Sequence, residues 1–192
     1  MEAFFPRVKA SSGPIFFVKT PLKFDRGRPT GSFERVITPG QRLNLGFSLK
    51  VLRGGAVETM TFADLLTRRT IVTVYMKNKT PGCDRQNDSL VAHAAEFDRA
   101  GFNLVAVSRD TAGSHARYAA AKQIPYVLVS DPDDQFARAA DSLVEKSMYG
   151  RKFIGPARAA YVVDRDGTVL AVVEKVDPAN HAAQLRAAIK AL

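Results

Sequence analysis

The chain contains a single cysteine, Cys83, within the stretch MKNKTPGCDRQND at residues 76–88. A thiol does chemistry as its thiolate, which is both the nucleophile and the metal ligand. The stretch follows an apolar β-branched run, TIVTVY, and leads into residues with helical spacing. Thr80 suits the N-cap and Pro81 the first helical position, and Gly82 allows close backbone approach. Cys83 then falls in the first helical turn, where unpaired N–H groups point outward and the helix dipole favours an anion. Lowering a thiol pKa from about 8.5 to about 6 requires ~3.4 kcal/mol. A helix N-terminus contributes ~0.3–1 kcal/mol, or ~2 in a partly buried place. A reactive Cys83 therefore requires a cation in contact. Lys77, Lys79, Arg85 or a residue distant in sequence could supply it.

Other roles for the thiol stay open at this point. A free cysteine is commonly a small buried hydrophobe. A metal site needs further ligands, and His93, His115 and His181 are scattered. A cysteine–histidine hydrolase needs one of those histidines beside the sulfur. A CxxC redox pair is absent.

The elements that position Cys83 follow from pattern. LGFSLKVL (45–52) is a strand, Gly54-Gly55 a turn, and Thr61 caps a short helix, FADLLTRR. TIVTVYM (70–76) is a central strand buried on both faces. The helix after Cys83 carries Leu90, Val91, Ala94 and Phe97 and stops at Gly101. FNLVAVS (102–108) is a second buried strand, HARYAAAK (115–122) a helix, and 124–129 a third strand. DPDD (131–134) turns into a short helix, QFARAA. Asp131, Asp133 and Asp134 read as turn and capping groups. RAAYVVD and TVLAVVE flank Arg165-Asp166-Gly167 as a hairpin. The last helix is N-capped by Asp177, with Pro178 at its first position, and presents Leu185, Ala188, Ile189 and Leu192 on one face. Tyr75 and Phe153 read as core residues or pocket walls. Alternating strands and helices followed by a hairpin and a final helix give an α/β fold of thioredoxin-like architecture: a central mixed sheet flanked by helices.

At 192 residues, 46% hydrophobic and 24% charged, the chain can bury a core of ordinary size. Residues 1–38, rich in Gly, Pro, Ser and basic side chains, read as an N-terminal extension. Within it, IFFVK reads as a short strand and PTGS as a turn. Residues 39–192 read as the domain. No apolar run is long enough to span a bilayer, and the first residues lack the pattern of a secretory signal. With one thiol and no internal disulfide, this points to the cytoplasm. The net charge of +9 is spread along the chain without an aromatic-basic pattern, which argues against a specific nucleic-acid partner.

YMKNKTPGCDRQND resembles the active-site segment of the peroxiredoxins, in particular the bacterioferritin comigratory protein or peroxiredoxin Q type, whose pattern ends in Thr-x-x-Cys and commonly reads TPGC. The resemblance extends over about residues 39–192 through PGQRLNLGFSL, VSRDTAGSHARYAAAKQIPYVLVSDPD and MYGRKFIGPARAAYVVDRDGTV. It implies that Cys83 is the peroxidatic cysteine, that Thr80 exchanges a hydrogen bond with the thiolate and the bound peroxide, and that Arg158 is the cation required above. The implied substrates are hydrogen peroxide or organic hydroperoxides, with Cys83 oxidised to a sulfenic acid. No cofactor and no metal are implied. Three departures stand out. Met76 replaces the family's proline, Gln86 its common acid, and Asp88 the resolving cysteine carried by many of the group. The implied enzyme is thus a one-cysteine thiol peroxidase regenerated by an external thiol: glutathione, another small thiol or a thioredoxin-like protein. The family includes monomers and dimers, so a homodimer is compatible with it. The alternative reading is a degenerate relative acting as a peroxide sensor or as a non-enzymatic scaffold.

Overall fold

The structure, a computed structural model, describes residues 37–148 and 150–192. Residues 1–36 of the expected extension, with the IFFVK strand and the PTGS turn, lie outside the described residues.

The β-branched run Thr70–Val74 (β3) is buried at every position, as a strand covered on both faces must be. It pairs in parallel with Asn103–Ser108 (β4), Ile71 opposite Leu104 and Val74 opposite Val107. On its other side it pairs antiparallel with Ala160–Val163 (β8). β4 continues in parallel to Val127–Ser130 (β5). Ser48–Arg53 (β1) and Ala56–Thr61 (β2) form a hairpin beyond β5, and Val169–Val173 (β9) completes the other edge. The seven-stranded order is β2-β1-β5-β4-β3-β8-β9. This is the expected mixed sheet of a thioredoxin-like fold, with its hairpin at the C-terminal side.

The two-residue strand period divides the core between the faces. Val72, Val74, Val105, Val107, Phe62, Phe136 and Tyr161 pack on one side. Ile71, Leu104 and Val162 meet Leu90, Phe97 and Leu185 on the other. The helices there are Pro81–Val91 (α1), Ala94–Arg99 (α2) and His181–Lys190 (α5). Ala112–Lys122 (α3) links β4 to β5, and Gln135–Ala139 (α4) follows β5. The expected capping by the DPDD turn is present: the Asp131 carboxylate accepts from the backbone N–H of Gln135 (2.8 Å) and Phe136 (2.9 Å). The hairpin turn at Gly167 has φ +90°, and a Cβ there would sit 3.3 Å from the Leu43 carbonyl, so only glycine fits without strain.

Several local expectations need correction. Residues 62–65 form a 3-10 turn, and Thr61 makes no side-chain cap bond. The last helix begins at His181 with Asn180 at its N-cap. Asp177 is instead the anchor of the preceding turn, accepting from Ala179 N (3.0 Å) and Asn180 Nδ2 (2.8 Å). β2 follows the Gly54-Gly55 turn where no strand was expected. A second unforeseen hairpin, Leu143–Met148 (β6) with Arg151–Pro156 (β7), forms a separate two-stranded arm. Phe153 lies on this arm, 38% exposed, and is not part of the core.

Candidate active site

The loop between β3 and α1 is pinned before it reaches the cysteine. Tyr75 N donates to the Val107 carbonyl (3.0 Å), and the buried Tyr75 hydroxyl donates to Asn78 Oδ1 (2.7 Å). Asn78 N donates to Asp110 Oδ2 (2.8 Å), and Asn78 Nδ2 to Ser114 Oγ (2.9 Å). The turn closes with Lys79 at φ +58° and delivers Pro81 to the start of α1. Cys83 is fully buried in the first turn of α1, against Tyr75, Ala106, Tyr118 and Leu128. Asn87 Nδ2 and the Asp84 carboxylate hold that turn, the first by donating to the Cys83 carbonyl (3.0 Å), the second by accepting from Tyr118 Oη (2.8 Å).

The expected cation is Arg158, 75 residues away in sequence: its Nη2 donates to Cys83 Sγ at 3.3 Å. Gly82 lies beside this guanidinium: a Cβ there would stand 3.6 Å from Arg158 Nη2, an ordinary contact. Thr80 occupies the N-cap position but makes no cap bond; its hydroxyl donates to the Lys77 carbonyl at 3.0 Å. The same hydroxyl lies beside the thiol, so its one proton must rotate away from that carbonyl to serve sulfur. Burial is the strongest influence on Cys83 and pushes its pKa up. The Thr80 hydroxyl, the backbone groups of Lys77 and Met76, and the Arg158 charge together outweigh burial and hold the thiol below its ordinary value.

Behind Arg158 runs a buried relay that reading by segment did not reveal. Arg158 Nη1 donates to Gln86 Oε1. The Gln86 amide is thereby oriented with Nε2 donating to Thr73 Oγ1 (2.9 Å) and the Val74 carbonyl (3.4 Å). Thr73 Oγ1 in turn shares a hydrogen bond with His181 Nε2, 2.9 Å away. Burial, with the Arg158 charge in the same direction and Gln184 opposing, pushes His181 down to about 4. The relay is electrically neutral, so the Arg158 charge faces the sulfur without a carboxylate partner. Signals for it existed in the sequence only as a glutamine one helical turn after Cys83 and a threonine within an apolar strand.

The two other positions flagged as departures have structural occupants. Asp88 points outward and pairs with Lys122 (2.9 Å). Met76 is covered by Lys146 of the β6–β7 arm, whose Nζ rests on Met76 Sδ. Arg109 ties the base of that arm down, pairing with Asp134 and donating to the Ile154 carbonyl (3.3 Å). The local candidates Lys77, Lys79 and Arg85 all carry exposed side chains. His115 bonds within the Tyr75–Asn78 cluster and His93 to the Ser89 carbonyl, so no histidine hydrogen bond reaches Cys83.

Known proteins resemble this chain in sequence and in fold. The sequence pattern described as the AhpC/TSA family matches residues 42–172. Peroxiredoxin Bcp of Xanthomonas campestris is 37% identical over 121 residues, covering 63% of this chain and 76% of the relative. Peroxiredoxin Bcp of Escherichia coli is 29% identical over 124 residues, covering 65% and 80%. A solved structure of the Xanthomonas campestris bacterioferritin comigratory protein superposes with a TM-score of 0.71 at 30% identity, covering 80% of this chain and 98% of that one. A peroxiredoxin Q structure from Xylella fastidiosa gives 0.72 at 25% identity, covering 82% and 98%. The chain belongs to the AhpC/TSA family, among the peroxiredoxins of the Bcp or peroxiredoxin Q type, and carries one cysteine with no resolving partner.

Proposed function

We propose that this peroxiredoxin is a one-cysteine thiol peroxidase in which Cys83 is the peroxidatic residue, Arg158 its cation and Thr80 a donor to thiolate and peroxide. The observation that carries the reading is the Arg158 Nη2–Cys83 Sγ contact at 3.3 Å, at a thiol whose pKa is also lowered by the Thr80 hydroxyl and the backbone of Lys77 and Met76. The Cys83 thiolate attacks the terminal oxygen of a hydroperoxide. The S–O bond forms, the O–O bond breaks, and the far oxygen departs as water or an alcohol once protonated. Charge moves onto that oxygen in the transition state, where the rigid guanidinium fork and the first-turn N–H groups stabilise it. Alkyl peroxide reduction, described for the Xanthomonas campestris relative, supports organic hydroperoxides as substrates beside hydrogen peroxide.

With one cysteine in the chain, the Cys83 sulfenic acid cannot be resolved by an intramolecular disulfide. An outside thiol must reduce it, whether glutathione, another small thiol or a thioredoxin-like protein, and this fits a reducing compartment such as the cytoplasm. Among the described residues no helix is long and apolar enough to cross a membrane. The chemistry is assigned to residues 39–192, with residues 1–38 an extension outside it.

The test is the second-order rate of Cys83 oxidation by hydrogen peroxide, read by intact mass, followed by turnover with added thiols. Oxidation orders of magnitude faster than a free thiol, and recovery of the thiol on adding a reductant, are expected. A rate equal to that of a free thiol would refute the peroxidase. Fast oxidation without turnover by any thiol would instead favour a sensor.

A further inference from the structure

The β6–β7 arm brings one unpaired cation to the thiol site. Lys146 and Phe153 are directly opposite in the arm's register and share its inner face. On the outer face Glu145 and Lys152 pair at 2.9 Å, so Glu145 does not serve Lys146. Lys146 makes no ion pair among the described residues, although it is half-buried and its Nζ rests on Met76 Sδ. The charges that act on it are those of Arg158 before β8, Arg109 after β4, Asp134 just before α4 and Cys83 on α1. Arg109 is matched by Asp134, and Arg158 by the thiolate. The positive charge left over belongs to Lys146.

The reaction creates an anion that needs such a group. When the O–O bond breaks, the electron pair leaves on the far oxygen, and an alkoxide is a poor leaving group unless it is protonated. Resting on the peroxidase reading above, we propose that Lys146 is a further catalytic residue, the proton donor to the leaving oxygen. Sγ binds the terminal oxygen, which keeps its hydrogen and becomes the sulfenic acid. The Lys146 ammonium gives one proton to the departing alkoxide, yielding the alcohol and a neutral amine, which solvent then reprotonates. Charge and atoms balance: thiolate, hydroperoxide and ammonium become sulfenic acid, alcohol and amine.

Burial, then the Arg158 and Arg109 charges, push the Lys146 ammonium below the ordinary lysine range, with Asp134 and Cys83 opposing. An ammonium shifted in that direction gives up its proton more readily.

The experiment compares two oxidants. tert-Butyl hydroperoxide expels an alkoxide and needs the proton, whereas peracetic acid expels acetate and does not. The chain has no tryptophan, so Cys83 oxidation is followed by quenched flow and intact mass, for wild type, Lys146→Met and Lys146→Arg. In Lys146→Met the ratio of the tert-butyl hydroperoxide rate to the peracetic acid rate is expected to fall by on the order of 10²-fold. The fall in alkyl peroxide rate at alkaline pH, where Lys146 loses its proton, disappears with it. Lys146→Arg keeps the charge but not a releasable proton and follows Lys146→Met. An unshifted ratio, an alkaline fall that persists in Lys146→Met, or full rescue by Lys146→Arg would overturn the proton-transfer role while leaving the peroxidase standing. Wild-type Cys83 that reacts with neither oxidant faster than a free thiol would overturn both.

Discussion

Arg158 holds Cys83 and Gln86 with separate nitrogens of one guanidinium: Nη2 reaches the sulfur at 3.3 Å while Nη1 rests on the Gln86 amide oxygen. One nitrogen of the fork is thus held by a neutral amide while another turns to the sulfur, and the delocalised charge meets no carboxylate. Replacing Arg158 by methionine should raise the Cys83 pKa and slow oxidation by hydrogen peroxide by about 10²–10³-fold, the range seen when one preorganised donor is lost. Thiolate absorbance titration alongside the rate measurement checks both, and a variant that titrates and reacts like wild type would contradict the assignment.

The sign of the thiol's pH linkage follows from its lowered pKa. The folded state binds the Cys83 proton more weakly than the unfolded chain does. The thiolate's contribution to stability is fully present above the ordinary thiol pKa and is lost as pH falls through the lowered one. The melting temperature of wild type minus that of Cys83→Ser should therefore rise with pH across that window. A flat difference would mean the thiol is not shifted.

His181 gives a second, lower pH window. Its pKa falls from 6.5 to about 4 on folding, so it is buried neutral. Its contribution is fully present above about pH 6.5 and is lost as pH falls toward 4, by roughly 3 kcal/mol in all. Chemical denaturation at pH 7 and pH 4.5 should show this loss in wild type, and His181→Gln should lose less over the same interval. NMR titration of the imidazole reads the pKa directly.

Gln86→Glu tests the neutrality of the relay. A carboxylate at position 86 would compensate the Arg158 charge and place a negative charge near His181. The Cys83 pKa should rise, with hydrogen peroxide oxidation at pH 6 slowed about tenfold for each unit the thiol climbs above that pH, and the His181 pKa should rise with it. Oxidation at pH 6 as fast as wild type would show that the absence of a carboxylate is immaterial to the thiolate.

Cys83 is fully buried, so an outside thiol cannot reach its sulfenic acid without opening the first turn of α1. Reduction by glutathione should therefore saturate at high thiol concentration, at a rate set by that opening. A rate that stays linear in glutathione to the solubility limit would show that the sulfur is reached without it.

Much of this was legible along the chain. The β-branched run at Thr70–Val74, the TPGC turn, the Asp131 cap and the Asp-Gly hairpin are local patterns whose physics acts within a few residues, and they placed the sheet centre and the thiol. β2 and the β6–β7 arm were not legible. AVETMT is an exposed or half-exposed edge strand and RKFIGP is largely exposed, so neither shows the buried alternation that marks a strand. Asp177 misled because a Pro that could open a helix follows it, while the turn it anchors delays the helix to His181.

By itself the sequence determined that one thiol stands at a helix N-terminus beside a buried strand, and that such a thiol needs a cation to react. The resemblance of its motifs named Arg158. Only the tertiary structure decided how that cation is held, because Thr73, Gln86 and His181 lie on different elements, with Arg158 just before β8, and they meet only when β3, α1, β8 and α5 pack together. The same holds for Lys146, whose approach to Met76 depends on an arm that folds back over the site across 70 residues of chain. Hydrogen bonds of a few ångströms between distant segments leave no periodicity in a sequence; they exist once the core has fixed the backbone.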